Sequence, residues 1–304
     1  MAEQDGLWLV PYIEPQLLEE AVNYNDDFIA ALGKPDAKAI GKDGIYFNKL
    51  NNNVGFKVNA STDFTPAQMT GKKNMVPWDK LDTTPTNITD KEMRALAFDK
   101  ESEVRKKQMA AWKLGVRGYT VSKIAPKQHA SGKMPVIRTT GEVINGRKRL
   151  KSQDLYNFYE EIEALKLADP NGFHFVLNST HRADLMYEKS KTSNHWDIEF
   201  DPITGKVKRF YKFNLWENLD TANYTAEGVL KSLGSLPTEG DQSASVFFYA
   251  PNTVYHIEDL LVLYKEMKTD TRSVDPQSEI RLHTYGLCDK KQEHGFGALV
   301  SDNA

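Results

Sequence analysis

Residues 36–88 cannot build a core of their own, and this limits what the whole chain can fold into. Two short strand-type runs, Ile45–Lys49 and Val54–Val58, are separated by Leu50-Asn51-Asn52-Asn53, a turn signal. A polar stretch, ASTDFTPAQMTGKKN, follows, and then MVPWDKLDTTPTN, which Pro77 and Pro85 hold extended. The pattern predicts a hairpin with a long tip. A hairpin alone is marginally stable in water, so this one needs a partner, either the parent domain or another subunit.

The remaining segments supply a core. Residues 7–35 carry Pro11, Pro15 and Pro35, with Leu17, Leu18, Ala21 and Val22, then Phe28, Ile29 and Leu32, at roughly helical spacing; this stripe is too small to fold alone and reads as an arm. Thr89-Asp90-Lys91-Glu92 is a capping box that predicts a short helix from Asp90 to about Ala97. A long helix follows, with Val104, Gln108, Ala111, Trp112, Gly115, Val116 and Tyr119 recurring at three-and-four spacing and Pro126 as its boundary. About 25 residues at about 1.5 Å each make a rod of about 38 Å. Its expected core face is Val104, Trp112, Val116 and Tyr119.

Residues 127–149 read as a polar loop. Ser152 and Asp154 open an amphipathic helix with Leu155, Phe158, Ile162 and Leu165 on one face, which ends at Asp169-Pro170-Asn171-Gly172. A buried strand, Phe173–Leu177, leads into a helix capped by Asn178 or Ser179. A hairpin is expected to turn at 201–205, with strands Val207–Trp216, Ala244–Ala250, Thr253–Ile257 and Leu260–Lys265 after it. Residues 217–243 read as a long surface loop with a short helical piece. The end of the chain, SEIRLHTYGLCDKKQEHGFGALV, reads as two strands joined by a charged loop. Chain ends fray unless tied down, so these strands are expected inside a sheet.

Chemistry-bearing motifs are scarce. There is no P-loop, no G-x-G-x-x-G, no H-E-x-x-H and no G-x-S-x-G, and no cofactor, metal or catalytic residue is expected. His174, His181 and His195 lack fixed metal-ligand spacing. Glu160-Glu161 and Glu258-Asp259 are adjacent carboxylates whose side chains point apart. The single cysteine, Cys288, sits in a strand, where it acts as a small hydrophobe, and its isolation fits a reducing compartment. A basic cluster, Arg147-Lys148-Arg149-Leu150-Lys151, reads as a solvated loop before a helix or as a contact for phosphate or an acidic partner. The net charge of −3 carries no basic excess for gripping nucleic acid. Neither a secretory signal nor an apolar run of membrane-spanning length is found.

Segment order then becomes informative. WDKLDTTPTNITDKEMRALAFDKESEV (78–104), RKRLKSQDLYNFYEEIEAL with FHFVLNSTHRADLM (147–186), and the SEIRLHTYGL…FGAL end together resemble the major capsid protein of tailed bacteriophages. The chain is most similar to the short capsid proteins of phages or gene-transfer particles of Bacteroidetes-type hosts. The resemblance implies an α+β tailed-phage capsid fold: an N-terminal arm (1–35), an extended β-hairpin loop (36–82) and a peripheral domain (83–134) with a spine helix at about 99–124. An α/β apical domain (135–275) and C-terminal strands (276–304) returning to the peripheral domain complete it. It further implies self-assembly as hexamers and pentamers into an icosahedral shell around double-stranded DNA bound without sequence specificity. The shell would assemble in the host bacterial cytoplasm, away from any membrane. No long charged helical extension precedes the arm, so either a separate scaffolding protein acts or none is needed; a separate scaffolding protein, a portal and decoration proteins are the partners the resemblance implies. Lys72 and Lys73 on the loop, with Arg147, Lys148 and Arg149, are the expected assembly contacts. Some relatives cross-link through a loop lysine, but no partner asparagine is matched here and no cross-link is expected. Two other readings of the same residues are a nanocompartment shell enclosing a cargo enzyme and an α/β hydrolase-type enzyme built on 150–190.

Overall fold

The computed structural model describes residues 27–50, 58–61, 71–89, 100–191, 198–200, 207–218 and 221–303. The expected arm helices before residue 27, the Val54–Lys57 part of the second hairpin run, the helix from Asp90 to Ala97, His195 and the turn at 201–205 lie outside them. In chain order the elements are β1 (Gly44–Leu50), β2 (Gly71–Pro77), β3 (Asp79–Asp82), β4 (Thr86–Thr89) and α1 (Lys100–Ile124). Next come β5 (Val136–Arg138), β6 (Val143–Ile144), β7 (Arg147–Lys148), α2 (Ser152–Ala164), β8 (Phe173–Asn178) and α3 (Ser179–Lys191). The chain then runs through β9 (Ile198–Phe200), β10 (Val207–Phe210), β11 (Phe213–Asn218), β12 (Asn223–Tyr224) and β13 (Gln242–Tyr249). It finishes with β14 (Thr253–Ile257), β15 (Leu261–Lys265), β16 (Gln277–Lys290) and β17 (Phe296–Val300).

Two sheets organise the molecule. The eight-stranded sheet runs β5-β17-β13-β8-β11-β10-β9, with β12 paired to β13. Side chains alternate across a strand, so each central strand feeds both faces. Phe173, Phe175 and Leu177 of β8 point to the face covered by α2 and α3, where Phe158 of α2 lies 5.5 Å from the Phe175 ring and 6.2 Å from that of Phe247. Val176, Val246 and Phe248 point to the opposite face, covered by Tyr119, Val121 and Ile124 of α1 and by Phe28 and Leu32. Those last two anchor the arm to the body. Gly297 fits where it does because a Cβ there would come within 2.6 Å of the Phe158 ring.

The five-stranded sheet is built around β16. β3 and β4 pair with one edge of it, and β14 and β15 with the other. Ile280, Leu282 and Thr284 alternate inward beneath α1. The segment boundaries expected at 135 and 275 do not coincide with the sheets. β14 and β15 belong with β16, whereas β17 returns to the eight-stranded sheet between β13 and β5. The first of the two C-terminal strands thus lies in the smaller sheet, and the second in the larger one, where Phe296, Ala298 and Val300 share a core cluster with the long helix.

Four local expectations change. The partner of β1 is β2, with Gly44 opposite Pro77 and Leu50 opposite Gly71; the turn signal at 51–53 lies outside the described residues, and Val58 sits in a bend. The run Val207–Trp216 is two strands, because Tyr211 takes a left-handed φ of 47° and reverses the chain between Phe210 and Phe213. The loop at 127–149 contains β5, which pairs in parallel with β17, and no helix occurs among the described residues of 217–243.

The helix ends follow simple chemistry. The Asp154 carboxylate, buried in the first turn of α2, accepts from the Lys151 and Thr140 backbone amides at 3.1 and 3.0 Å, satisfying donors at the positive end of the helix. Asn178 caps α3 by accepting from the Thr180 amide at 2.8 Å. α1 stops ahead of Pro126, whose carbonyl accepts from the Tyr224 hydroxyl at 2.7 Å.

Phe158 meets Phe175, Phe213 and Phe247 at once. Phe158→Ala is expected to cost about 3–5 kcal/mol, the range for deleting a fully buried aromatic. Urea unfolding of the purified variant checks this, and an unchanged midpoint would remove Phe158 from the core.

Candidate assembly surfaces

The β1–β2 hairpin is fixed at its base and bare beyond it. Ile45 and Val76 are buried against Val254 of β14 and Leu287 of β16. Trp78 closes this cluster, donating its indole N–H to the Gly41 carbonyl at 3.1 Å and lying 5.7 Å from the His256 ring. Gly44 sits where the strand leaves the body, and a Cβ there would come within 2.1 Å of the Val76 carbonyl oxygen. Farther out, Phe47 packs partly against the same cluster, and beyond it the described residues are open. Met75 is exposed, Val58 is 72% exposed, and the residues around Asn59 face solvent. Lys73 is exposed, with its ammonium 4.3 Å from the Tyr46 ring centre, and Lys72 stands opposite Lys49 in the ladder.

The basic cluster at 147–149 is engaged within the chain, contrary to the reading of it as open positive charge for a partner. Arg147 forms a bidentate pair with Asp184 of α3 at 2.6 and 3.0 Å, and the same carboxylate accepts from the Leu150 amide at 3.1 Å. Lys148 pairs with Asp302 at 2.6 Å, and Arg138 approaches the same carboxylate at 3.4 Å. The Arg149 guanidinium stacks over the Tyr187 ring at 3.8 Å. These contacts latch the β6–β7 turn to α3 and to the residues after β17. Lys148 holds Asp302 below the usual carboxylate range.

The long helix splits in two. Val116 and Tyr119 are buried as expected, and the Tyr119 hydroxyl donates to Asp79 at 2.5 Å while accepting from the Cys288 amide at 3.2 Å. Val104 and Trp112 are not enclosed. They line an open groove of about 520 Å³ between α1 and residues 80–86. Gln108 lies at its floor, its side-chain N–H donating to the Thr84 carbonyl at 2.8 Å and to the Thr86 hydroxyl at 2.6 Å. The helical spacing marked the apolar stripe correctly, but the sheet beneath it covers only the C-terminal half.

Of the groups that chemistry could recruit, His181, Asp184 and Cys288 are buried and His174 is half-buried. His181 is fully buried between the hydroxyls of Ser245 (2.7 Å) and Ser301 (2.9 Å), and Asp184 is turned toward Arg147 and the Leu150 amide. This pair joins α3 to β13 and to the end of the chain. His174 stacks on Phe248 at 5.2 Å and accepts from the Trp216 indole at 3.1 Å, which fixes its Nδ1 unprotonated. Burial lowers both histidines to about 4. Burial pushes the Cys288 thiol up to about 12, away from nucleophilic character. Among the described residues no group of three or more His, Cys, Asp or Glu is arranged to hold a metal, and no helix is long and apolar enough to cross a membrane.

No protein-family model and no curated protein matches the sequence. Solved structures do match. The chain superposes on the capsid structure of the cyanophage P-SCSP1u with a TM-score of 0.66 and 12% identity, over 97% of this chain and 92% of that one. For the capsid of Ralstonia phage GP4 the values are 0.63 and 8%, over 96% and 94%. For the capsid of an empty GTA particle they are 0.60 and 13%, over 100% and 98%. At such identities the likeness establishes the fold: the α+β fold of phage capsid chains, matched nearly end to end.

Two measurements test the internal contacts. Asp184→Asn leaves Arg147 without its counter-charge and is expected to cost about 3 kcal/mol, the lower end of the range for a broken buried pair; denaturant midpoints check it. The two histidines also set a pH dependence. Their folded values of about 4 lie below the unfolded value of about 6.5, so the unfolded state takes up protons first as pH falls. The histidine contribution is therefore expected to be lost between about pH 6.5 and about pH 4 and to change no further below, where the lowered carboxylates such as Asp302 carry the fall on. His174→Phe removes one of the two groups and is expected to make that drop shallower in urea titrations at several pH values; an identical slope would show that His174 does not contribute.

Proposed function

We propose that this chain is a major capsid protein: a structural, non-enzymatic subunit that assembles as hexamers and pentamers into the icosahedral shell of a tailed phage or gene-transfer particle. One observation carries the reading. The body closes itself through two sheets and three covering helices, yet it holds out a hairpin whose base is packed and whose described outer part has nothing of its own chain against it. A projecting ladder of this kind is stable in function only when another surface orders it. The full-length likeness to capsid chains supports the same conclusion.

In this reading the hairpin is the extended loop that reaches a neighbouring subunit, with Lys72 and Lys73 on its outgoing strand. α1 with the five-stranded sheet is the peripheral domain. The eight-stranded sheet with α2 and α3 is the apical domain, which meets its mates around each capsomer. Many weak, repeated contacts then give a stable particle without any single tight one. Double-stranded DNA fills the interior without sequence-specific contact. A separate scaffolding protein, a portal and decoration proteins complete the particle, which is assembled in the host bacterial cytoplasm and resides in the virion.

Negative-stain microscopy of the purified protein, alone and with a co-expressed scaffolding candidate, tests this. Rings of five or six subunits or closed shells are expected, and monomers in both preparations would overturn the reading. Replacing residues 51–70, which link β1 to β2, by a short turn is expected to leave the melting temperature within about 2 °C while abolishing shells. Normal shells from that variant would show that the hairpin is not an assembly element.

A further inference from the structure

The groove along α1 has features that the body around it does not explain. Leu81, Val104, Ala111, Trp112 and Leu233 give it an apolar lining, and two glycines stand in the middle of the helix beside it. Glycine weakens a helix interior relative to alanine. The body needs neither of them: a Cβ on Gly115 would meet nothing within 4 Å, and one on Gly118 only the Leu233 side chain at 3.4 Å. Two polar atoms of the lining also lack a hydrogen-bond partner among the described residues. They are the side-chain oxygen of Gln108, a residue only 6% exposed, and the indole N–H of Trp112. Both are shut off from bulk water, which leaves them to a group that enters between α1 and residues 80–86. One acceptor and one donor a helical turn apart suit a residue of an extended chain, whose N–H and C=O point to the same side. The rim is positive on balance. Lys107 is exposed and forms no ion pair among the described residues, and Lys80 is exposed beside Asp82, which Arg281 and His283 also hold.

We infer that this groove takes the chain's own N-terminal segment, Leu7–Ile13, laid along α1 in extended form. Leu-Trp-Leu-Val-Pro-Tyr-Ile supplies the apolar groups, and Pro11 and Pro15 bias Val10 and Glu14 before them to extended backbone. Charge selects the same segment. Residues 1–26 hold Glu3, Asp5, Glu14, Glu19, Glu20 and Asp26 and no lysine or arginine. The whole chain is net −3, so without these six carboxylates the remainder is net positive. Length fits as well. From Val104 to Tyr119 the groove follows α1 for about 22 Å at about 1.5 Å per residue, and seven extended residues at about 3.3 Å each cover about 23 Å. Phe28 and Leu32 share a core cluster with Tyr119, which also lines the groove, so the arm joins the body beside the C-terminal half of α1. Residues 14–26 can span up to about 43 Å at about 3.3 Å each, ample for the return. Tethered this close, the segment has a local concentration that another copy would have to exceed. It then runs parallel to α1, with Leu7 at the Lys107 end and Ile13 at the Tyr119 end.

The inference concerns a single chain and does not require the shell reading; whether the same protein forms rings or shells bears only on the latter. Paired cysteines in the full chain test it under mild oxidation, with Cys288 buried out of the way. Tyr12→Cys with Gly115→Cys is expected to close a disulfide within the chain, seen as a shifted monomer band on a non-reducing gel. It should form about tenfold faster than the disulfide from Tyr12→Cys with Lys107→Cys, which lies toward the other end of the groove. A mixture of the Tyr12→Cys and Gly115→Cys single variants is expected to give no cross-linked dimer. Gly115→Leu fills the groove at a position with open space, so the body should keep its melting temperature. Chymotrypsin is expected to cut after Trp8 about tenfold faster in this variant, and faster by a smaller factor in Lys107→Glu. Failure of the disulfide to form within the chain, or an unchanged cleavage rate in a folded Gly115→Leu, overturns the inference. Cross-linked dimers from the mixture overturn it too, since the groove would then hold the segment of another copy.

Discussion

The smaller sheet depends on one strand. β16 runs fourteen residues without a break, and each of the four other strands in that sheet pairs with it. Its inward side chains meet α1, and five residues after its end the chain enters β17, the inner partner of β13 in the larger sheet. β16 is therefore both the spine of one sheet and the link to the other. The Tyr119 hydroxyl adds a cross-brace, since it touches Asp79 of β3 and the Cys288 amide of β16 together. Asp79 is further held by Lys123 at 2.8 Å, so one acidic group fixes the C-terminal half of α1 to the sheet beneath. Burial and its bond to Asp79 keep the Tyr119 hydroxyl protonated well above its ordinary range, which keeps it a donor.

How much of this was legible in the sequence depends on the range of the interaction concerned. Period alone placed α1, α2, β8 and the alternation of β16, because these patterns are set by neighbours three, four or two positions away. It also found the stripe of α1 but not how far the sheet runs beneath it, so Trp112 was expected in the core and lines a groove. The β2 run Gly-Lys-Lys-Asn-Met-Val-Pro has little apolar content and is a strand because β1 lies beside it; its own residues gave no strand signal. Tyr211 reverses the chain with a left-handed φ that an aromatic residue seldom adopts, so no turn residue announced it.

The charges show the same limit more sharply. Arg147, Lys148 and Arg149 look like one basic patch when read along the chain. In space Arg147 meets Asp184, 37 residues on, and Lys148 meets Asp302, 154 residues on. Local sequence records the sign of a charge but not the location of its counter-charge.

Under the proposed reading the chain has to remain soluble before it assembles, and its open surfaces are limited in ways that suit that need. β15 is only five residues long, so its free edge offers few backbone bonds to a stray strand. The hairpin leaves the body through the narrow passage at Gly44, where a side chain would collide with Val76, so its direction is set by the backbone and not by its own packing. The groove along α1 is polar at its floor, where Gln108 already uses its donors on Thr84 and Thr86. Under the proposed reading, specificity would come from requiring several such modest contacts at once.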